Sequence, residues 1–129
     1  MPEDFRTRMD TELRRGVLQV AVLALLRERT YGYDLLRVLG EAGLPTEEGT
    51  LYPVLRRLEQ EGLLESSWDT SGSRPRKYYR STDTGSAALR ELLTAWDRVD
   101  RSLREICGRG GTPDASLPAS EDPHRAPPA

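Results

Sequence analysis

A mainly α-helical fold with one small β-hairpin is what this sequence predicts, and three observations predict it. Leu51, Val54, Leu55 and Leu58 fall at i, i+3, i+4 and i+7, the spacing of one buried stripe on a helix. After Gly62 the pattern gives way to two short extended segments, residues 63–68 and 76–81, separated by a turn rich in Ser, Gly and Pro. Between residues 82 and 107, Leu89, Leu92, Trp96, Val99, Leu103 and Ile106 are spaced 3, 4, 3, 4 and 3, the a/d seam of a coiled coil.

Taken in chain order, the first helix is predicted over residues 10–28. Within it, VLQVAVLALL over residues 17–26 is apolar at every position but Gln19, and a helix apolar on all sides must be buried on all sides. One side can cover the domain core; the other needs the last helix or a second copy. The second helix is predicted over residues 31–42, with Leu35, Leu36 and Leu39 inward and Gly43-Leu44-Pro45 ending it. The third helix carries the first stripe, and Pro53 constrains its start, because a proline is tolerated in the first turn but removes a hydrogen bond farther in. The start is therefore expected near Gly49 or Thr50, with Thr50 as N-cap. Thr50, Tyr52, Pro53, Arg56, Arg57 and Gln60 are left on or near its other faces.

The hairpin carries Arg74, Arg76, Lys77 and Arg80 against Asp69, so a protruding tip holds a concentrated positive charge. In the last helix, over residues 82–107, Asp97 with Arg101, Asp100 with Arg104 and Arg101 with Glu105 are i, i+4 pairs of opposite charge on the polar side. From Gly108 onward the chain is rich in Gly, Pro, Ser and Ala without periodicity, and residues 108–129 are predicted to be a disordered tail.

An amphipathic helix followed at once by a basic hairpin is how a winged helix-turn-helix reads DNA. Recognition helices touch base edges chiefly with their N-terminal residues, which puts Thr50, Tyr52 and Pro53 at the reading tip with Arg56 in support. Arg74, Arg76 and Lys77 on the hairpin suit a phosphate backbone or a minor groove. Tyr33 is placed either to reach the phosphate backbone or to pack at a core or dimer edge, and Trp68 reads as a packing residue. A solvated turn would carry similar charges, but its position next to a recognition-type helix favours DNA.

Several stretches together resemble the PadR family of bacterial transcriptional regulators, in particular its small members with a single C-terminal helix. They are Leu13-Arg14-Arg15-Gly16, Tyr31-Gly32-Tyr33-Asp34-Leu35, Glu48-Gly49-Thr50-Leu51-Tyr52-Pro53, Arg57-Leu58, Glu61-Gly62-Leu63 and the wing Arg74-Pro75-Arg76-Lys77-Tyr78-Tyr79-Arg80. Thr82 and Gly85 stand where the family's threonine and glycine open the last helix, whereas Ser81 replaces the usual leucine before that threonine, a change expected to affect local packing only. The match covers residues 12–107. It implies a winged helix-turn-helix DNA-binding domain over residues 10–81, a dimerisation helix over 82–107 and the tail beyond.

The heptad seam and the all-apolar first helix together predict a two-fold homodimer, with Val17, Leu89, Leu92, Trp96, Val99, Leu103 and Ile106 in its interface. Two recognition helices about 34 Å apart would then read a palindromic operator in double-stranded DNA. Trp96, in mid-seam, is either a large interface residue or a ligand platform. The resemblance implies the second: in drug-responsive small members of the family, a last-helix tryptophan and its symmetry mate stack a flat aromatic ligand at the dimer centre. Gln19, Val22, Leu23 and Val99 would line the same space, and Asp100 would pair with a cationic ligand.

Composition limits the alternatives. The net charge is −2 and the pI about 5.5, which argues against a generic, very basic nucleic-acid binder. Glu47, Glu48, Glu59, Glu61 and Glu65 surround the basic wing, so binding is expected to be focused and salt-sensitive. The acidity leaves one rival, a winged helix that binds other proteins without reading DNA. One Cys and one His, Cys107 and His124, offer no disulfide, no metal site and no catalytic arrangement, and neither a P-loop nor a dinucleotide turn is present. No enzyme activity, metal or cofactor is therefore expected. Without a signal-peptide pattern or a run of about 18 apolar residues, a cytoplasmic, nucleoid-associated protein with no membrane partner is expected. The function expected is a DNA-binding transcriptional repressor released by a small molecule.

Overall fold

The computed structural model describes residues 3–109, which form the helices α1 (Glu3–Leu25), α2 (Gly32–Glu41), α3 (Glu48–Gln60) and α4 (Asp83–Arg109) and the strands β1 (Thr30–Tyr31), β2 (Leu64–Asp69) and β3 (Arg76–Ser81). The mainly helical class with a small sheet is as the sequence predicts. The chain divides into two compact units at Trp96, so α4 begins in the first and continues into the second.

Leu18, Val22, Leu23 and Leu26 from the first helix and its end, Leu35 and Leu39 from α2, and Leu51, Leu55 and Leu58 from α3 make the core of the first unit. Leu64, Tyr79 and Leu89 close it from β2, β3 and α4. The helix stripes read from spacing are these same positions, with Val54 and Leu36 only partly buried.

Helix α1 starts seven residues earlier than predicted and ends three earlier. Residues 3–9 contain no glycine or proline to stop a helix, and Asp10 and Arg14 pair one turn apart at 2.8 Å. Asp10 and Arg14 are exposed, and the apolar positions before them, Phe5 and Met9, fall outside the span read from the longer apolar run. At the other end Ser81 donates its amide to the Leu26 carbonyl (2.8 Å) and its hydroxyl to the Leu23 carbonyl (3.0 Å). The residue that departs from the family pattern thus caps the end of α1 and ties β3 to it.

Helix α3 corrects two expectations. Its N-cap is Glu47, in extended conformation and with no side-chain cap bond, and Thr50 is already helical. The Thr50 and Leu51 amides both donate to the Glu47 carbonyl at 3.0 Å. Pro53 consequently lies in the second turn, where it forgoes a bond to the Gly49 carbonyl. Gly49 and Pro53 are both exposed, so water can satisfy that carbonyl. The acid that replaces Thr50 at the start, Glu48 in the first turn, is well placed against the positive end of the helix. Helices α2 and α3 both end at glycines in the left-handed region, Gly43 (φ 89°) and Gly62 (φ 80°). Leu44 N–H bonds Leu39 O (2.8 Å) and Leu63 N–H bonds Leu58 O (2.9 Å), the six-to-one closure of a Schellman motif.

The sheet has strand order β1-β3-β2, antiparallel throughout, with Thr30 opposite Tyr79, Tyr31 opposite Tyr78, and Ser67 opposite Tyr78. The hairpin is the predicted one; β1 is an addition too short to leave a periodic signal. Helix α4 is capped by Thr82, whose hydroxyl accepts the Gly85 amide (3.0 Å) and donates to the Gly62 carbonyl (2.7 Å). It runs through Gly108 and Arg109, and the rest of the predicted tail, with His124, lies outside the described residues. Of the predicted ion pairs on α4, Asp100 with Arg104 is formed at 3.1 Å.

Candidate nucleic-acid interface

Helix α3 presents its first two turns to solvent on one side and the core on the other. Leu51 and Leu55 anchor it inward, which leaves Thr50, Pro53 and Arg56 exposed and Tyr52 half-buried. The Tyr52 ring rests against the start of α2. A side-chain carbon at Gly32 would lie 3.6 Å from the ring of Tyr52 and 3.2 Å from that of Tyr79, so the glycine is what lets the two rings approach. Burial, then the negative charge of Glu48, pushes the Tyr52 phenol above its ordinary pKa, so it is a neutral hydroxyl at any physiological pH.

Tyr33, 58% exposed, continues outward from this point. Its ring centre lies 6.3 Å from that of Tyr31, which in turn lies 5.8 Å from that of Tyr78 on β3. Two arginines lie over this run of rings, Arg29 at 4.1 Å above Tyr78 and Arg76 at 5.5 Å above Tyr31, both within cation–π range. Beside them a groove of about 470 Å³ is lined by Arg74, Arg76, Tyr31, Tyr78 and Asp69. The Asp69 carboxylate accepts the Ser71 amide (2.9 Å) and hydroxyl (2.6 Å), which fixes the start of the wing turn and holds the carboxyl below its usual range.

Strand geometry separates the cations that the sequence groups together. Successive side chains of a strand point to opposite faces. Arg76 and Tyr78 accordingly share the face of Tyr31 and Arg29, whereas Lys77 lies over Trp68 (5.8 Å) and Tyr79 (5.4 Å) on the other. The wing therefore carries cationic groups on both faces, and Trp68, expected to pack, is a largely exposed ring beside Lys77.

The residues expected around a ligand divide between the two units. Val22 and Leu23 are 0% and 1% exposed in the core of the first unit, so their side chains are not available to line a ligand site. Gln19 is half-buried, Trp96 and Val99 are exposed, and Asp100 is engaged by Arg104. Leu89, expected in the dimer seam, is also a core residue. The remaining seam is open: Leu92, Trp96, Val99, Leu103 and Ile106 are all exposed, Trp96 by 54%. A second exposed stripe, Phe5, Met9 and Leu13, follows i, i+4, i+8 along α1 and was missed because the helix was expected to start later. Val17 is half-buried on the same helix. Arg29 and the ring contacts were missed too, since no local spacing links residues 29–31 to 76–78; only the β1–β3 pairing does.

Among the described residues there is no cluster of three or more His, Cys, Asp or Glu side chains placed to hold a metal, and no helix long and apolar enough to cross a membrane. The model of the Transcriptional regulator PadR-like family matches residues 22–91. A PadR family transcriptional regulator from Eggerthella lenta DSM 2243, known from its crystal structure, is 48% identical and superposes with a TM-score of 0.77 over 81% of this chain and 94% of that one. The PadR-like transcriptional regulator BC4206 of Bacillus cereus is 30% identical, with a TM-score of 0.63 over 74% of this chain and 96% of its own. The transcriptional regulator Rv3488 of Mycobacterium tuberculosis is 34% identical over 93 residues, 71% of this chain and 87% of that protein.

Proposed function

This chain belongs to the PadR-like family of DNA-binding transcriptional regulators, and from that premise we propose that it works as a homodimeric repressor, released from a palindromic operator by a small molecule bound at the dimer interface. Its family and relatives are regulators and not enzymes, and a bare protein-interaction role is accordingly set aside.

One observation carries the proposal: the seam Leu92, Trp96, Val99, Leu103 and Ile106 stays open to solvent along α4. Large apolar residues repeating every 3.5 positions on an exposed helix face are stable in water only when a partner helix covers them. A second copy supplies such a partner, and its α1 stripe, Phe5, Met9 and Leu13, needs covering as well. Two-fold pairing presents two α3 tips and two wings to one face of the duplex, and a symmetric reader calls for a symmetric site. Occupancy of a promoter is then enough to repress.

Release requires a ligand that binds one arrangement of the dimer better than another. Trp96 and its symmetry mate offer two large flat faces for an aromatic compound, with Val99 one turn along α4. Asp100 can attract a cationic group only in competition with Arg104. Sedimentation at micromolar concentration is expected to give a dimer, and a stable monomer would remove the basis for this interface. Planar aromatic cations should quench the Trp96 part of the fluorescence and leave the residual emission of Trp68 in Trp96→Ala unchanged.

The DNA-binding role is tested by gel shift with the gene's own upstream region, where a discrete, competitor-resistant complex is expected. Arg76→Ala should weaken binding to all sequences alike and lower the salt slope by about 1 for each phosphate left without its cation.

A further inference from the structure

We propose that the outer face of the sheet is a DNA-backbone track, and that Arg29 is a phosphate-binding residue at its far end. The proposal rests on the DNA-binding reading above and extends it to a surface beyond the α3 tip and the wing tip.

Continuity is the first support. Tyr52 on α3 stands against Gly32, and from there the rings of Tyr33, Tyr31 and Tyr78 follow one another at 6.3 and 5.8 Å until Arg29 covers the last of them. A strand of duplex leaving the reading tip toward the wing would pass along these groups without meeting a gap. Charge is the second. Arg29, Arg74 and Arg76 enter no ion pair among the described residues, whereas Arg14, Arg37, Arg57, Arg104 and Arg109 each hold a carboxylate four residues away. Of the acids that the strand period places on this face, Asp69 accepts two hydrogen bonds from Ser71 and feels the positive charges of Arg29 and Arg76 from beyond ion-pair distance, and Glu65 stands opposite Arg80.

Geometry is the third support. A guanidinium lying on an aromatic ring uses its flat face for the ring and keeps its N–H groups, which lie in its plane, directed outward. Arg29 Cζ lies 4.1 Å from the Tyr78 ring centre, a distance that lets the guanidinium stack in this way and offer its fork to two phosphate oxygens. Its side chain loses little further freedom on binding, which favours a net contribution. The groove of about 470 Å³ between Arg76 and the wing turn gives the sugar-phosphate chain room to approach.

The test uses the full chain and a duplex of its own upstream DNA, comparing wild type, Arg29→Ala and Arg29→Lys by affinity across a salt series and by hydroxyl-radical footprint. Arg29→Ala should bind about tenfold more weakly, with the salt slope reduced by about 1 per protomer. Backbone protection should disappear at the outer flank of the site and persist at its centre. Arg29→Lys should restore the slope but only part of the affinity, because it keeps the charge and loses the fork. Equal affinity, slope and footprint for wild type and Arg29→Ala would overturn the proposal, as would a loss of affinity that leaves slope and footprint unchanged, which marks a purely structural role. Failure of the wild type itself to form a discrete complex would instead overturn the DNA-binding reading, and the track with it.

Discussion

Gly85→Ala is expected to lower the melting temperature by roughly 12–24 °C, the consequence of about 3 kcal/mol of lost stability in a domain of this size. A side-chain carbon at this position would lie 2.1 Å from the Leu63 carbonyl oxygen and 3.1 Å from its carbon. Both are backbone atoms of the segment that leaves α3 and enters β2, so no side-chain rotation relieves the clash. Either α4 shifts or the 62–64 backbone does. Each choice strains a set of bonds that fixes this corner: Thr82 N–H to Leu63 O at 3.1 Å, Thr82 Oγ1 to Gly62 O at 2.7 Å, and the Gly85 N–H to Thr82 Oγ1 at 3.0 Å. Leu89, one turn farther along, would be drawn out of the core with the helix. Thermal unfolding followed by circular dichroism checks the value. Gly40→Ala serves as the control, because nothing lies within 4 Å of its added carbon and the position is helical. That substitution should be neutral or stabilising by up to about 1 kcal/mol. A Gly85→Ala protein that melts with the wild type would mean the α4 start is not packed against Leu63 as described.

What could be read from the sequence follows the range of each signal. The α3 stripe and the α4 seam are periodic over many residues, and the wing is marked by its Ser, Gly and Pro turn; such local signals survive without knowledge of the partner surface. Strand β1, two residues long, has no period, and its existence depends on a register with β3 set far along the chain. The tyrosine and arginine run on the outer sheet face was hidden for the same reason. Thr50 looked like an N-cap because its residue type favours caps, yet Glu47 takes the position with no side-chain bond at all, and Pro53 is accommodated one turn farther in than its propensity suggests. Val22 and Leu23 belong to a helix apolar on all sides, and Leu89 to a seam whose first position turns to the domain's own core; spacing alone does not say which apolar positions face that core. The opposite faces of Arg76 and Lys77 follow from the strand period, and that period divides the cations of the wing between two surfaces.

Tyr52→Ala is expected to cost about 1–3 kcal/mol of operator binding, a weakening of roughly 10- to 100-fold, while binding to unrelated DNA changes little. Two features of its surroundings lead to that split. The ring packs beside Gly32, near the ring of Tyr79, so it is already ordered before DNA arrives and pays little entropy on binding. The phenol remains protonated through the physiological range, its pKa raised first by burial and then by Glu48, so it contributes shape and a hydrogen bond and no charge. Losing it should therefore leave the salt slope unchanged, in contrast to Arg76→Ala, and wild-type binding should show no pH dependence from this group between about pH 6 and 9. Tyr52→Phe separates the two contributions. It keeps the ring against Gly32 and removes only the hydroxyl, for a loss of about 0.5–1.5 kcal/mol. Because Tyr52 is half-buried, both variants need to be measured well below their melting temperatures, with the folded fraction established in the same buffer. If Tyr52→Ala weakens operator and unrelated DNA equally, the ring is part of the packing beneath the interface, and the sequence preference must come from Thr50, Pro53 or Arg56 at the exposed edge of the same tip.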